Sequence, residues 1–171
     1  MIKNNIKDLP YRRCVGAALF NSKGEVWVGK RIVRSKTSLK QVWQMPQGGI
    51  EKGEKPEVAV IRELKEETGI DQVEIISEVK RWLKYDLPLH LARRSWEGRY
   101  RGQEQKWFAL RYLGNDDDFY LDKHTCPEFS DWRWVALEEL VKLAVYFKRD
   151  IYQIVVMNFN HIPKLLTSHK T

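Results

Sequence analysis

Three glutamates, Glu63, Glu66 and Glu67, stand at i, i+3 and i+4. On a helix that spacing puts them on one face, a turn apart. Anions that close repel one another unless a cation lies among them. Two readings are open. In the first, Arg62 and Lys65 screen the carboxylates on a solvated face, as charge-rich helices commonly do. In the second, the carboxylates are hard oxygen ligands for Mg²⁺ or Mn²⁺, ions that keep waters and bridge substrate phosphates. A carboxylate in such a group can also receive a proton from water attacking a phosphoanhydride. Residue order does not choose between Glu63 and Glu67 for that task.

The element that carries them has clear ends. Pro56 sits where a first helical turn tolerates it. Residues 57–68 are mostly good helix formers, and Gly69 follows as a C-terminal cap. Ahead of the helix, Gly48, Gly49 and Gly53 make a permissive loop. Around this unit the chain reads as alternating strands and loops. Residues 1–10 form a loose arm ending at Pro10, and Arg12 and Arg13 read as solvated charges. Residues 14–20 form a buried strand. A turn at 21–24 leads to its hairpin partner at 26–31. Residues 32–41 make a polar loop, and 42–47 a short strand entering the glycine loop. Further strands are expected at 73–79, 105–113 and 132–135. Residues 81–101 are irregular, basic and aromatic. Short helices are expected at 138–145 and 148–160, the latter with Ile151, Ile154, Val155 and Asn158 on one face. Gly114 to Asp118 is an acidic turn, since no glycine and distal glutamate follow at calcium-loop spacing.

A chain of 171 residues suits one domain, residues 1–171, with a real core. Its 43% hydrophobic and 31% charged content is that of a globular protein. No apolar run approaches the roughly 20 residues of a membrane span. Residues 1–13 lack the apolar core of a signal peptide, so the cytoplasm is the expected compartment. Cys14 and Cys126 are too few for a disulfide framework. His90, His124, His161 and His169 fit no ligand spacing, and no covalent intermediate is expected. The net charge is +7. Residues 80–111 hold nine Lys and Arg against three acids, a net +6. Such a field favours a polyphosphate with something attached, and Tyr85, Trp96 and Tyr100 can stack bases.

Gly48, Glu54, Arg62, Glu63, Leu64, Glu66, Glu67, Gly69 and Ile70 match every defined position of the Nudix box, residues 48–70. The chain therefore resembles the Nudix hydrolases. More than the box matches. Trp43 to Gly49, Trp82 to Pro88, Gly102 to Phe108, Pro127 to Phe129 and Phe147 to Asp150 resemble the bacterial RNA pyrophosphohydrolases, a group close to plant-type dinucleoside tetraphosphate hydrolases. The similarity covers about residues 11–155.

The resemblance implies an α/β (α+β) Nudix fold. A mixed sheet is sandwiched between α-helices, and the box forms a loop–helix–loop. It implies a divalent metal, Mg²⁺ or Mn²⁺, held by Glu63, Glu66, Glu67 and Glu128. Glu63 and Glu67 are the candidate catalytic carboxylates, with Arg62 orienting a glutamate and Glu54 supporting the loop. Gln47, Gly48, Gly49, Tyr85, Phe147 and Lys148 fall at substrate-binding positions. The implied activity removes pyrophosphate from 5′-triphosphorylated RNA, a step in mRNA decay. Hydrolysis of dinucleoside polyphosphates such as diadenosine tetraphosphate stands beside it, and one protein can do both. A mononucleotide hydrolase suits the large basic segment less well. A nucleotide- or RNA-binding module with a dead box is the non-enzymatic alternative, and the intact carboxylates argue against it. Nothing in the sequence calls for a membrane or an obligate protein partner.

Overall fold

The computed structural model describes residues 5–32, 42–121 and 127–168. Among the described residues, eight strands form one mixed sheet. They are β1 (Tyr11–Phe20), β2 (Val26–Arg31), β3 (Trp43–Gln44), β4 (Gln47–Gly49), β5 (Val73–Glu78), β6 (Leu83–Asp86), β7 (Gly102–Tyr112) and β8 (Phe129–Val135). The described residues also form five α-helices: α1 (Pro56–Thr68), α2 (Leu89–Ala92), α3 (Leu140–Leu143), α4 (Arg149–Phe159) and α5 (Ile162–Thr167). The backbone of the sheet runs β3-β2-β1-β7-β5, with β4 on β1, β6 on β7 and β8 on β2. The central β1–β7 pair is parallel over its whole length, from Tyr11 opposite Gly102 to Phe20 opposite Arg111.

Strand alternation divides the core in two. On one face Val15, Ala17 and Leu19 of β1 and Phe108 and Leu110 of β7 pack against Ala59, Val60 and Leu64 of α1. On the other, Ala18, Phe20, Trp107 and Ala109 meet Ile151, Tyr152, Val155 and Phe159 of α4. The sheet is thus covered by helices on both faces, as expected. Gly16 lies against the Trp107 ring, where a Cβ would stand 2.5 Å from ring carbons.

Most expected elements are present, and the differences have local causes. The described part of the arm is not loose. Ile6–Asp8 is a 3-10 turn capped by Asn5, and Arg101 holds it by donating to the Lys7 carbonyl at 2.7 Å. The expected strand over 42–47 is two strands, because Met45 and Pro46 turn the chain between β2 and β1. The Pro46 carbonyl accepts from Ala17 N–H. β1 and β2 pair only beside their turn, Phe20 opposite Val26, so β4 occupies the rest of that edge of β1. Residues 81–101 contain a strand after all. In β6, Leu83 and Tyr85 point inward while Lys84 and Asp86 face solvent, a two-step alternation too short to see beside Pro88. The helix expected over 138–145 is a 3-10 turn, Leu137–Glu139, running into α3. The buried face of α4 is Ile151, Tyr152, Val155 and Phe159, whereas Asn158 is exposed and caps back to the Ile154 carbonyl. Cys14 is buried and free. The polar loop beyond Ile32, Cys126, His124 and His169 lie outside the described residues. Among the described residues, no helix is long and apolar enough to cross a membrane.

Candidate functional site

Helix α1 runs over the expected span and stops at Gly69, whose φ of 79° gives the left-handed cap. Its buried positions, Ala59, Val60, Leu64 and Thr68, dock it on the sheet. That docking turns Glu63 and Glu67 toward β4. Glu63 lies against Gly48 so closely that any Cβ there would collide with its carboxylate. Glu67 Oε2 accepts the Gln47 backbone N–H at 3.0 Å.

Arg62 ties the loop to the helix. Its Nε and Nη2 donate to the two oxygens of Glu54, both at 2.8 Å, and Nη2 also reaches the Gly49 carbonyl at 2.8 Å. Its Nη1 donates to Glu63 at 3.0 Å and to Glu66 at 3.3 Å. Glu54 closes the loop by accepting Glu51 N–H. The Arg62 hydrogen bonds hold the Glu54 carboxyl down at about 2. The carboxylates facing the cavity behave oppositely. Burial raises the Glu63 pKa against the pull of Arg62. Burial, then the nearby charge of Glu128, raises Glu67 well above the carboxylate range.

Glu63 and Glu67, but not Arg62 or Glu54, line a cavity of about 630 Å³, a size suited to a nucleotide-sized ligand. Gln47, Gly48, Gly49, Glu63, Glu67 and Glu128 form one side. Tyr85, Phe147 and Lys148 line the same cavity. The Tyr85 and Phe147 rings stack with centroids 5.9 Å apart. Lys148 is buried, its ammonium donating to Gln47 Oε1 at 3.0 Å and lying 5.7 Å from the centre of the Tyr85 ring. Burial, reinforced by Arg31, lowers its pKa to about 7. Glu128 is paired with Arg31 at 3.0 Å. Glu66 does not line the cavity. It is half exposed at the outer edge, joined to the others through Arg62.

Residues not assigned to the site also line it. Arg12, expected as a solvated charge, faces the cavity beside Gly49 and lies 5.1 Å from the Trp96 ring centre. Strand alternation carries the signal: Arg12 shares a face with Cys14, which pairs with Gly49. Trp96 and Glu97 adopt left-handed backbone angles, φ 48° and 59°, a conformation that costs about 1–2 kcal/mol per residue, and Trp96 enters the cavity wall. Arg31 and Gln103 line it as well. Tyr100 packs edge-on against Trp96 and is not part of the lining.

The donor set fits a hard divalent cation. Three carboxylates face one cavity, and one of them, Glu67, among the described residues accepts a single backbone N–H where a cation would relieve the cost of its charge. Among the described residues, no three acidic, histidine or cysteine side chains converge as a finished cage. Mg²⁺ does not require one, since it keeps several waters and takes further ligands from substrate phosphates.

The NUDIX domain model matches residues 10–154. The chain is 49% identical over 161 residues to an RNA pyrophosphohydrolase of Roseobacter denitrificans, covering 93% of this chain and 98% of that one. It is 50% identical over 155 residues to an RNA pyrophosphohydrolase of Gluconacetobacter diazotrophicus, with 89% and 93% covered. Among solved structures it resembles the C. elegans Ap4A hydrolase binary complex, with a TM-score of 0.63 at 23% identity over 88% of this chain and 96% of that one. It also resembles the E. coli dihydroneopterin triphosphate pyrophosphohydrolase, with a TM-score of 0.64 at 22% identity over 87% and 99%. The structural likenesses speak to the fold. The match to the family model and the sequence relatives go further, and by them the chain belongs to the Nudix family, as a pyrophosphohydrolase.

Proposed function

We propose that this enzyme removes pyrophosphate from the 5′-triphosphate end of RNA, using a divalent metal, and does so as a single domain over residues 1–171. One observation carries the reading. A wall of carboxylates and a stacked aromatic pair with a buried lysine share one cavity, so phosphates and the nucleoside attached to them can be held together. The names of the sequence relatives support the same substrate.

In this reading Glu63, Glu67 and Glu128 would hold Mg²⁺ or Mn²⁺, with Glu66 completing the set from the rim. Such an ion, when bound, neutralises phosphate oxygens and activates water. The chain's own residues supply the rest. Glu67 or Glu63 accepts the proton of the attacking water. Arg62 keeps Glu63 in place and locks it to the loop through Glu54. The glycines at 48 and 49 let the phosphate chain approach backbone N–H groups without a side chain between. Lys148 meets phosphate charge, and the Tyr85–Phe147 pair holds the nucleotide. The cytoplasm is the compartment where such transcripts are found, and mRNA decay is the process served.

A second reading, hydrolysis of dinucleoside polyphosphates, draws on Trp96. Its ring is a second aromatic surface in the same cavity, able to take a second nucleoside. One rate comparison separates them. With 5′-triphosphate RNA, diadenosine tetraphosphate and nucleoside triphosphates offered at equal concentration with Mg²⁺, the RNA should have the highest kcat/KM. Faster turnover of diadenosine tetraphosphate would replace the first reading by the second.

A further inference from the structure

The segment from Gly102 to Phe108 buries two glutamines, Gln103 at 4% exposure and Gln105 at 0%, to which no task has been given. Their orientation follows from chemistry. An indole N–H can only donate. Trp107 Nε1 lies 3.0 Å from the Gln105 side chain, so the atom it meets is Oε1. The other end of that amide, Nε2, then donates to Gln103 at 2.8 Å, and the atom receiving it is Gln103 Oε1. The Tyr85 hydroxyl donates to the same oxygen at 2.7 Å. A second donor-only group agrees. The Lys148 ammonium bonds Gln47 Oε1 at 3.0 Å, which directs Gln47 Nε2 toward Gln103 Oε1 at 3.4 Å.

The carbonyl end of Gln103 is therefore filled from within. Its Nε2 has no hydrogen-bond partner among the described residues. It is also not a sealed orphan, for the fully buried side-chain atom without a partner among them is Trp27 Nε1. Gln103 lines the cavity, and its amide end opens there. Turning the amide over would set NH₂ against the NH₂ of Gln105, whereas the Tyr85 hydroxyl, donor and acceptor both, accommodates either end.

We infer that Gln103 Nε2 is a donor held ready for an oxygen of the substrate's phosphate chain, and that Gln105 is the positioning residue that keeps it so. The phosphate is favoured by what surrounds it. Through Gln47, the same network joins the Lys148 ammonium to the backbone N–H that Glu67 accepts. An amide donor and an ammonium thus face one cavity beside the carboxylates. This rests on the reading that the cavity takes a polyphosphate.

The test follows the side-chain amide of Gln103 by NMR in ¹⁵N-labelled protein, assigned by through-bond correlation, without added metal. Inorganic tripolyphosphate should move that resonance and an uncharged nucleoside should not. Backbone amides of Gly48 and Gly49 serve as the control for the cavity itself. If they move and Gln103 does not, the inference about Gln103 falls while the polyphosphate reading stands. If none moves, both fall. A shift with nucleoside alone would make Gln103 a reader of the base and overturn the phosphate assignment. In kinetics, Gln103→Glu should lower kcat/KM about 10–100-fold, the worth of a hydrogen bond to a charged group, by the same factor for RNAs with different 5′ bases. Gln105→Leu should give a smaller loss and a broadened Gln103 amide signal. A base-dependent loss in Gln103→Glu also counts against the phosphate contact.

Discussion

At Glu67, burial and the charge of Glu128 favour the protonated carboxyl. A divalent ion that uses this side chain must displace that proton. The Mg²⁺ concentration giving half-maximal rate should therefore fall as pH rises beyond the ordinary carboxylate range. Metal titrations at several pH values check this, and a midpoint that does not move would separate Glu67 from the metal. Glu67→Gln or Glu63→Gln should keep the fold and lose about 10²–10⁴-fold in turnover; wild-type-like rates in both at saturating Mg²⁺ would remove them from the chemistry. Lys148 works in the opposite sense. Burial lowers its pKa to about 7, so the free enzyme loses this positive charge as pH rises through that value. Because kcat/KM reports ionisations of the free enzyme, it should decline on the alkaline side. Lys148→Arg, which stays charged, should remove the decline if the guanidinium fits; Lys148→Met should abolish the dependence and lower the rate at pH 6.

The loop–helix unit depends on one arginine. Arg62 joins Glu54, Gly49, Glu63 and Glu66, so the loop's position is set relative to the helix face that carries the carboxylates. Glu54 is about one-tenth exposed in its side chain, and Arg62 holds its carboxyl at about 2 in the folded protein. A depressed carboxylate stabilises the fold above its unfolded pKa, near 4.5, and loses that contribution as pH falls toward 2. Glu54→Gln should cost about 1–2 kcal/mol at pH 7, the range for a charged hydrogen-bonded pair with some solvent screening. The gap from wild type should narrow between pH 4.5 and 2. Urea unfolding across that range measures it, and a gap constant with pH would deny the ion pair its role.

Across the whole molecule, the positive segment is less uniform than its count suggests. Arg101 grips Asp86 at 3.0 and 2.8 Å and the Lys7 carbonyl, so it is a structural brace. Lys106 is buried against Glu78 and the Val79 carbonyl. Arg94 lines the cavity, Arg93 precedes it directly, and Arg99 lies on the same segment past the Trp96–Glu97 bend. If these three meet two phosphates of a bound transcript, replacing all three by Ser should flatten the salt slope of RNA binding by about 1.4, at about 0.7 per phosphate on a single strand. Diadenosine tetraphosphate turnover should fall less. Arg101→Ser should instead lower thermal stability with little change in slope. An unchanged slope in the triple variant would take this surface out of RNA binding.

Helix α1, its cap at Gly69 and the shared face of Glu63 and Glu67 were legible in the sequence, because helix propensity, glycine's left-handed freedom and i, i+4 spacing are local properties. So were the cores of β1, β5, β7 and β8, whose apolar runs are long enough to declare themselves. The box and its flanking motifs carried the family. The rest depended on contacts between distant residues. β6 is a strand because β7 pairs with it, and its four residues hold too little alternation to announce that. Arg12 reaches the cavity because β4 takes the edge of β1 that the expected hairpin would have covered. Glu66 drew its place beside Glu63 and Glu67 from helical spacing and from the box; only the docking of α1 sets it at the outer edge, joined to Glu63 through Arg62. The direction of the Gln103 amide was invisible in the order of residues, for it is set by Trp107 through Gln105 and by Lys148 through Gln47, donors brought together only by tertiary packing.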